Sequence, residues 1–295
     1  MKVFLAEYTI QHDPHLAGEG AAMLGVLSGS FQRCGHEVVV PGPGDFGEGI
    51  RRLAPTCECG LVIAPDNLLA GFTLALEGCT DNLGCGSMNV AICANKRQTA
   101  RILSSHGIPV PSEILSGKKV VKPVSGCGAD GVRLTEDAPG DNELGQQYIE
   151  GENLSVSMIG SRVVGDACEN YTGKPPLLLA LNRQDVTIDP DGTFHYNGGE
   201  TPIEHPRKDE IVETAAKAIR VLGCQGYTGI DVVVADKVYV VDVNPRITTS
   251  LVGIVPCMEE EIADLLIEAS HGRGPESVRL RAHARYGTQG NVELV

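Results

Sequence analysis

Asp231, Asp242 and Asn244 carry the chemistry most plainly visible in this chain. They sit in the stretch Gly229-Ile230-Asp231-Val232-Val233-Val234-Ala235-Asp236-Lys237-Val238-Tyr239-Val240-Val241-Asp242-Val243-Asn244-Pro245-Arg246. Two apolar, β-branched runs flank a tight Asp236-Lys237 turn, which is the pattern of a hairpin. A two-residue turn puts Asp231 directly opposite Asp242, and Asn244, two residues on, shares their face. Directly opposed residues hold their Cβ atoms roughly 4.5–5.5 Å apart. Two carboxylates that close repel, and burying them unpaired is costly. A hard divalent cation between them removes the conflict, and carboxylate oxygens suit Mg²⁺. The plain alternative is a surface hairpin with two solvated acids. The Val, Ile and Tyr residues flanking the pair on both faces argue against it.

A second group lies upstream. Lys122, in Val121-Lys122-Pro123, precedes the loop Ser125-Gly126-Cys127-Gly128-Ala129-Asp130-Gly131. Glycines let successive backbone N–H groups approach an anion, and a lysine adds a point charge for phosphate. Neither the G-x-G-x-x-G fingerprint nor the G-x-x-x-x-G-K-[ST] loop is present, because the lysine comes before the glycines. A Gly-rich loop alone is equally a plain turn. Joined to a lysine and a downstream carboxylate pair, it implies a nucleoside triphosphate with its metal. Arg246, two residues past Asn244, can grip a carboxylate or phosphate with two N–H groups, or else simply pair with one of the many acids. Cys127 reads as filling space in the loop rather than reacting, and His195 and His205 as solvated loop histidines.

These groups need a scaffold, and 295 residues with 42% hydrophobic content supply one of two or three subdomains. A net charge of −14 argues against general nucleic-acid binding and against an anionic membrane surface. Ten cysteines are scattered without a C-x-x-C pair. They read as reduced, buried, small hydrophobes rather than zinc ligands or a disulfide framework. Aromatics make up 4% and Trp is absent, which disfavours a base-stacking surface. The start of the chain reads as a strand, with no signal-peptide pattern, and no apolar run is long enough to span a bilayer. A cytoplasmic protein is expected.

Hydrophobic patterning gives strands at 2–8, 36–40 and 60–65 with a helix at 19–34, an alternation that predicts a small parallel α/β layer over residues 1–88. A helix over 96–106 follows an Asn95 cap and stops at Gly107. Val120–Pro123 and Leu154–Met158 read as strands. Residues 186–205 are polar and rich in Gly and Pro and read as a long functional loop with short strands. Its Asn197–Glu200 segment, with Thr248–Ser250, is the candidate site for a second substrate, though ordinary loop residues fit as well. Helices are expected over 210–222, capped by Asp209, and over 258–270. The last 25 residues carry no clear pattern.

The order of these parts resembles the ATP-grasp superfamily of carboxylate–amine (or thiol) ligases over residues 95–250. Asn95-Lys96, then Leu103 and Gly107-Ile108-Pro109-Val110-Pro111, are similar to that family's first nucleotide lysine and its G-I-P-x-P strand. Lys122 with the 125–131 loop resembles its second lysine and phosphate loop. Gln146-Gln147-Tyr148-Ile149-Glu150-Gly151 resembles the adenine hinge, usually E-x-x-I-x-G. Asp231, Asp242 and Asn244 match its metal triad. Two departures stand out. Asp242 replaces the usual Glu, one methylene longer. The ribose-gripping Glu expected after the hinge glycine is represented by Glu152 or Asn153.

The resemblance implies an α/β (α+β) protein: a small parallel-sheet domain over 1–88, then an ATP-grasp fold of two subdomains, 89–150 with the phosphate loop and 151–295 with the metal hairpin. It implies ATP held by Lys96, Lys122, Ser125, Gly126, Cys127, Gly128, Gly131, Gln147, Tyr148, Ile149 and Glu152 or Asn153. Mg²⁺ is the implied metal, with Mn²⁺ acceptable, and Arg246 is the catalytic arginine. The implied reaction joins a small carboxylic acid to an amine through an acyl phosphate, releasing ADP and phosphate. A homodimer is compatible with it. Phe4-Leu5-Ala6-Glu7-Tyr8 and the Lys122–Val132 loop are similar to a smaller archaeal branch with a member in methanofuran biosynthesis, which implies L-glutamate and tyramine as the substrates. Ligation of other amino acids or peptides, a phosphotransferase, and a nucleotide-binding regulator are the alternatives. The complete set of lysines and metal ligands argues against the regulator.

Overall fold

The structure, a computed structural model, describes residues 1–126, 130–162 and 174–295. Cys127 and Gly128 of the expected phosphate loop lie outside the described residues. Among the described residues the strands form three sheets.

The first sheet is parallel and four-stranded: β1 (Lys2–Glu7), β2 (Glu37–Val39), β3 (Cys59–Ile63) and β4 (Asp81–Asn82), in the order β2-β1-β3-β4. Helices α1 (Thr9–His12), α2 (Ala17–Arg33), α3 (Phe46–Leu53) and α4 (Asp66–Glu77) connect its strands. Val3 and Leu5 belong to one core with Met23, Leu27 and Phe31 of α2, and Phe4 and Ala6 to another with Phe46, Ile50, Leu69 and Leu76. Burial on both faces explains why β1 and β3 read as continuous apolar runs.

Two helices follow, α5 (Ser87–Cys93) and α6 (Lys96–Ser105). Asn95 caps α6 by accepting from the Gln98 amide at 3.0 Å, as its residue type predicts. The Lys96 amide donates to the Val124 carbonyl at 2.9 Å, so the helix start is tied to the end of the next strand. That strand, β5 (Lys119–Pro123), is the centre of an antiparallel sheet with β6 (Arg133–Thr135) and β7 (Glu143–Gln147), in the order β6-β5-β7. Gly131 turns the chain into β6 at φ 70°, where a Cβ would crowd Pro123 at 3.2 Å.

The third sheet is antiparallel and seven-stranded. It holds β8 (Glu152–Gly160), β9 (Leu177–Ile188), β10 (Phe194–Thr201), β11 (Gly226–Val234), β12 (Val238–Asn244), β13 (Ala284–Gly287) and β14 (Val292–Leu294), in the order β12-β11-β8-β9-β10-β13-β14. Helix α7 (Lys208–Leu222) buries Ile211, Ala215, Ile219 and Leu222 with Leu154, Val156, Ile230 and Val232. Helices α8 (Ser250–Ile254) and α9 (Ile262–Ser270) pack into the other core with α2. No helix among the described residues is long and apolar enough to cross a membrane.

Several elements differ from the sequence expectation. Residues 186–205 are mostly the β9–β10 hairpin rather than a long loop. Gly198 (φ 113°) sits at a register shift after Tyr196, and Gly199 passes close to the Arg183 carbonyl, so these glycines serve a bulged strand. Helix α7 begins at Lys208 after Arg207, not at an Asp209 cap. Helix α9 starts at Ile262, and the patternless tail contributes β13 and the edge strand β14. The eight described cysteines are free thiols, six of them buried, matching their reading as small hydrophobes.

The metal hairpin differs in its turn. Val234 pairs with Val238, so Ala235, Asp236 and Lys237 form a three-residue connection. The register then shifts between Asp231 and Val232, and Asp231 falls opposite Asp242 as expected. The extra residue in the turn is cancelled by a bulge at Val241.

Candidate active site

A cleft of about 270 Å³ lies between the three-stranded and seven-stranded sheets. Val120, Val132, Ile149, Val186, Phe194 and Val233 give one part of it apolar walls. The hinge residues Gln147, Tyr148 and Ile149 lie along this part. Lys122, Gln184, Asp231, Asp242, Asn244 and Arg246 line the polar part.

Strand alternation puts Glu152 and Asn153 on opposite faces. Asn153 lines the cleft, whereas Glu152 faces away, its Oε1 3.7 Å from His205 Nε2. Of the two, Asn153 is the one that lines the cleft. Ser125, Gly126 and Gly131 do not line the cleft.

The bulge at Val241 does more than restore register. It turns the Val241 carbonyl toward β5, where it accepts from Lys122 Nζ at 2.7 Å. Bulges commonly re-aim groups beside active sites. Burial lowers the Lys122 ammonium to about 8, with Lys96 adding to the effect and Asp242 and Asp231 opposing it.

The two carboxylates are unequally supported. Asp242 accepts from Lys96 Nζ at 2.5 Å and from the Val243 amide at 3.1 Å. Burial pushes its carboxyl up, but Lys96 and Lys122 outweigh that and hold it below its ordinary value. Among the described residues Asp231 receives only neutral amide donors, from Asn244 Nδ2 at 3.0 Å and Gln184 Nε2 at 2.9 Å. Burial, then the neighbouring Asp242, pushes its carboxyl up to about 7. The pair is short of positive charge, and a divalent cation would supply it. Among the described residues no cluster of three or more His, Cys, Asp or Glu could hold a metal by itself. Two carboxylates and an amide oxygen leave room for phosphate oxygens, the habit of Mg²⁺ at nucleotide sites. The residues therefore fit that ion.

Lys96 does not line the cleft. It lies behind Asp242, 9% exposed, with Asp66 Oδ2 at 3.9 Å as a second anion. Asp66 is the first residue of α4 and brings the N-terminal sheet into the site. Its Oδ1 also accepts from Arg246 Nε at 2.9 Å, while Arg246 Nη2 reaches Asn244 Oδ1 at 3.4 Å. Sequence reading missed Asp66, Gln184 and Glu19, which lines the cleft from α2. An acid opening a helix reads as an N-terminal charge, so nothing in the local pattern marked Asp66.

Thr248, Thr249 and Ser250 line the cleft as expected for second-substrate candidates, and the Glu19 carboxylate accepts from the Thr249 hydroxyl. Beneath them a buried polar chain runs from Thr248 and Ser250 through Tyr227 and Ser157 to Asn182 and Thr201. It fixes the hydroxyls from below. The other candidate segment, Asn197–Glu200, lies in β10 outside the cleft lining, and Glu200 pairs there with Arg183 and Arg285. His195 pairs with Asp189 at 2.8 Å, away from the site.

A parallel α/β layer followed by two antiparallel sheets closing on a cleft that ends in paired carboxylates defines a narrow class of protein. The chain belongs to the ATP-grasp family: the profile of the ATP-grasp domain matches residues 93–250. Among characterised proteins it is 36% identical to tyramine–L-glutamate ligases of Methanocaldococcus fervens and Methanocaldococcus jannaschii. Each match covers 72% of this chain, and 65% and 62% of those proteins, so less than two thirds of their length is spanned. Among solved structures, an ATP-grasp superfamily protein from Archaeoglobus fulgidus superposes with a TM-score of 0.78 at 27% identity, over 97% of this chain and 92% of that one.

Proposed function

We propose that this protein is an ATP-dependent carboxylate–amine ligase that forms an amide through an acyl phosphate and releases ADP and phosphate. The observation that carries the reading is the polar end of the cleft, where Asp231, Asp242 and Asn244 meet Lys122. Adenine would lie among the apolar walls beside Gln147, Tyr148 and Ile149, with ribose at Asn153. The 125–131 loop, including Ser125, Gly126, Cys127, Gly128 and Gly131, would cover the phosphates. Bound at the acid pair, Mg²⁺ would offset the charge on the β- and γ-phosphates. Lys96, which pairs with Asp242 here, would join Lys122 in holding the phosphate tail.

The acid's carboxylate attacks the γ-phosphorus and ADP leaves. The amine then adds to the acyl carbon, and collapse expels phosphate with the amide left behind. Arg246, held by Asp66, would fix the acid or its acyl-phosphate oxygens. The chain's own contribution is alignment and electrostatics rather than a protein nucleophile. Residues 1–88, 89–150 and 151–295 are the proposed functional units, each supplying a wall of the site. The relatives named above support L-glutamate and tyramine as acid and amine.

A panel of acid–amine pairs tests this, with ADP and amide as readouts. ADP is expected to form rapidly only when acid and amine are both present, in equal amounts with the amide. AMP as the nucleotide product would contradict the proposal, as would a stable phosphorylated product with no need for an amine.

A further inference from the structure

The three-stranded sheet meets the seven-stranded sheet from both of its edges. On one edge β7 runs covalently into β8 through residues 148–151. The other edge is β6, and an edge strand presents amides and carbonyls that a further segment can take up. Here the tip of the β9–β10 hairpin takes them up. The Leu134 amide donates to the Gly192 carbonyl at 2.8 Å, and the Phe194 amide donates to the Val132 carbonyl at 3.1 Å. Arg133 and Thr193 form an antiparallel bridge between these two bonds.

The tip is shaped for this contact. The Gly192 amide donates to the Asp189 carbonyl at 2.8 Å, the Asp189 amide to the Thr193 carbonyl at 2.9 Å, and the Thr193 amide to Asp191 Oδ1 at 3.0 Å. The turn thus satisfies its own amides and leaves the Gly192 carbonyl and the Phe194 amide to face β6. Gly192 has a φ of 90°, and a Cβ there would run into the Leu134 carbonyl oxygen. The positive φ serves the turn, and glycine alone adopts it without strain. The clearance serves something else, because the obstructing atom belongs to β6 and not to the hairpin.

Val132 and Phe194 both line the apolar part of the cleft. Their hydrogen bond therefore joins a wall from each sheet at the end proposed for the base, while Lys122 ties the two sheets at the polar end. We propose that the β9–β10 tip is a main-chain clasp on β6 that sets how long a nucleotide stays in the cleft, and that Gly192 is the positioning residue that lets it close. The clasp pairs over a bound nucleotide and opens for exchange. Gly192 acts through β6 and touches no reacting atom. This rests on the nucleotide site proposed above and adds to it the element that governs exchange.

The test is stopped-flow release of a ribose-labelled fluorescent ATP analogue from the whole protein in Mg²⁺, chased with unlabelled ATP. Gly192→Ala obstructs the clasp. Leu134→Pro removes the donating amide, which points away from β5 and so lies outside that ladder, and proline is tolerated on an edge strand. Each variant should release the analogue about tenfold faster, the scale of losing the clasp's hydrogen bonds, with the association rate changed far less. Either variant suffices if the other does not fold. Amide hydrogen exchange followed by NMR gives a second readout. The Leu134 and Phe194 amides should exchange readily in the empty protein and become protected when the nucleotide binds, and Gly192→Ala should abolish that protection. An unchanged release rate in the folded variants would overturn the proposal, even with a lowered melting temperature, which is all that a merely structural contact would give. Equal protection of the two amides with and without nucleotide would overturn it as well. Failure of the nucleotide reading would show separately, as no binding of the analogue by the wild-type protein.

Discussion

Asp231→Asn and Asp242→Asn each lower turnover by about a hundredfold or more, because each removes one of the two charges that would hold the cation on the transferring phosphoryl group. Steady-state ADP release with saturating substrates measures the loss. The two substitutions part company in stability. Asp231 is a half-buried carboxylate with neutral donors and a like charge opposite, so an amide relieves repulsion. Metal-free Asp231→Asn should melt at or above the wild-type temperature. Asp242→Asn instead leaves the Lys96 ammonium with only the distant Asp66 carboxylate, at 3.9 Å. Its melting temperature should fall, by the equivalent of about 1–3 kcal/mol. Full activity in both variants would show that these acids do not hold the metal.

Lys122→Met gives the second large effect. The Lys122 ammonium is buried in the cleft, and its visible partner is the carbonyl that the bulge exposes. Methionine keeps much of the stem's apolar volume but removes the charge. Turnover should fall on the order of a hundredfold, the scale for losing one preorganised electrostatic contact to the reacting group. MgATP binding, followed as ligand-induced thermal stabilisation, should weaken as well. Unchanged binding and turnover would put the phosphate end elsewhere.

The central pairing was legible in the sequence, although by a route only partly right. A two-residue turn predicts Asp231 opposite Asp242, and the pair forms, yet the turn has three residues and Val241 bulges to compensate. Val232–Val234 and Val238–Val241 are apolar on both faces, so alternation carries no register there and neither irregularity leaves a trace. The polar pattern of residues 186–205 misled in the opposite direction, since a bulged hairpin with an exposed face has loop-like composition. Asp66 and Glu19 were invisible because they reach the site from the N-terminal layer, across a distance in sequence that no local spacing encodes. Asn153 and Glu152 could not be separated by motif register. Strand alternation from Ser155, which lines the same cleft, assigns Asn153 to the inner face.

The most direct measurement uses acid substrate labelled with ¹⁸O in its reacting carboxylate, with the released phosphate analysed by mass. A carboxylate is a poor electrophile, and the cleft offers Lys122 and a metal-fitting acid pair to a transferring phosphoryl group. Phosphorylation of the carboxylate is the step that creates the leaving group. The account predicts one ¹⁸O atom in each phosphate released and ADP as the only nucleotide product. Unlabelled phosphate accompanying amide formation would contradict it.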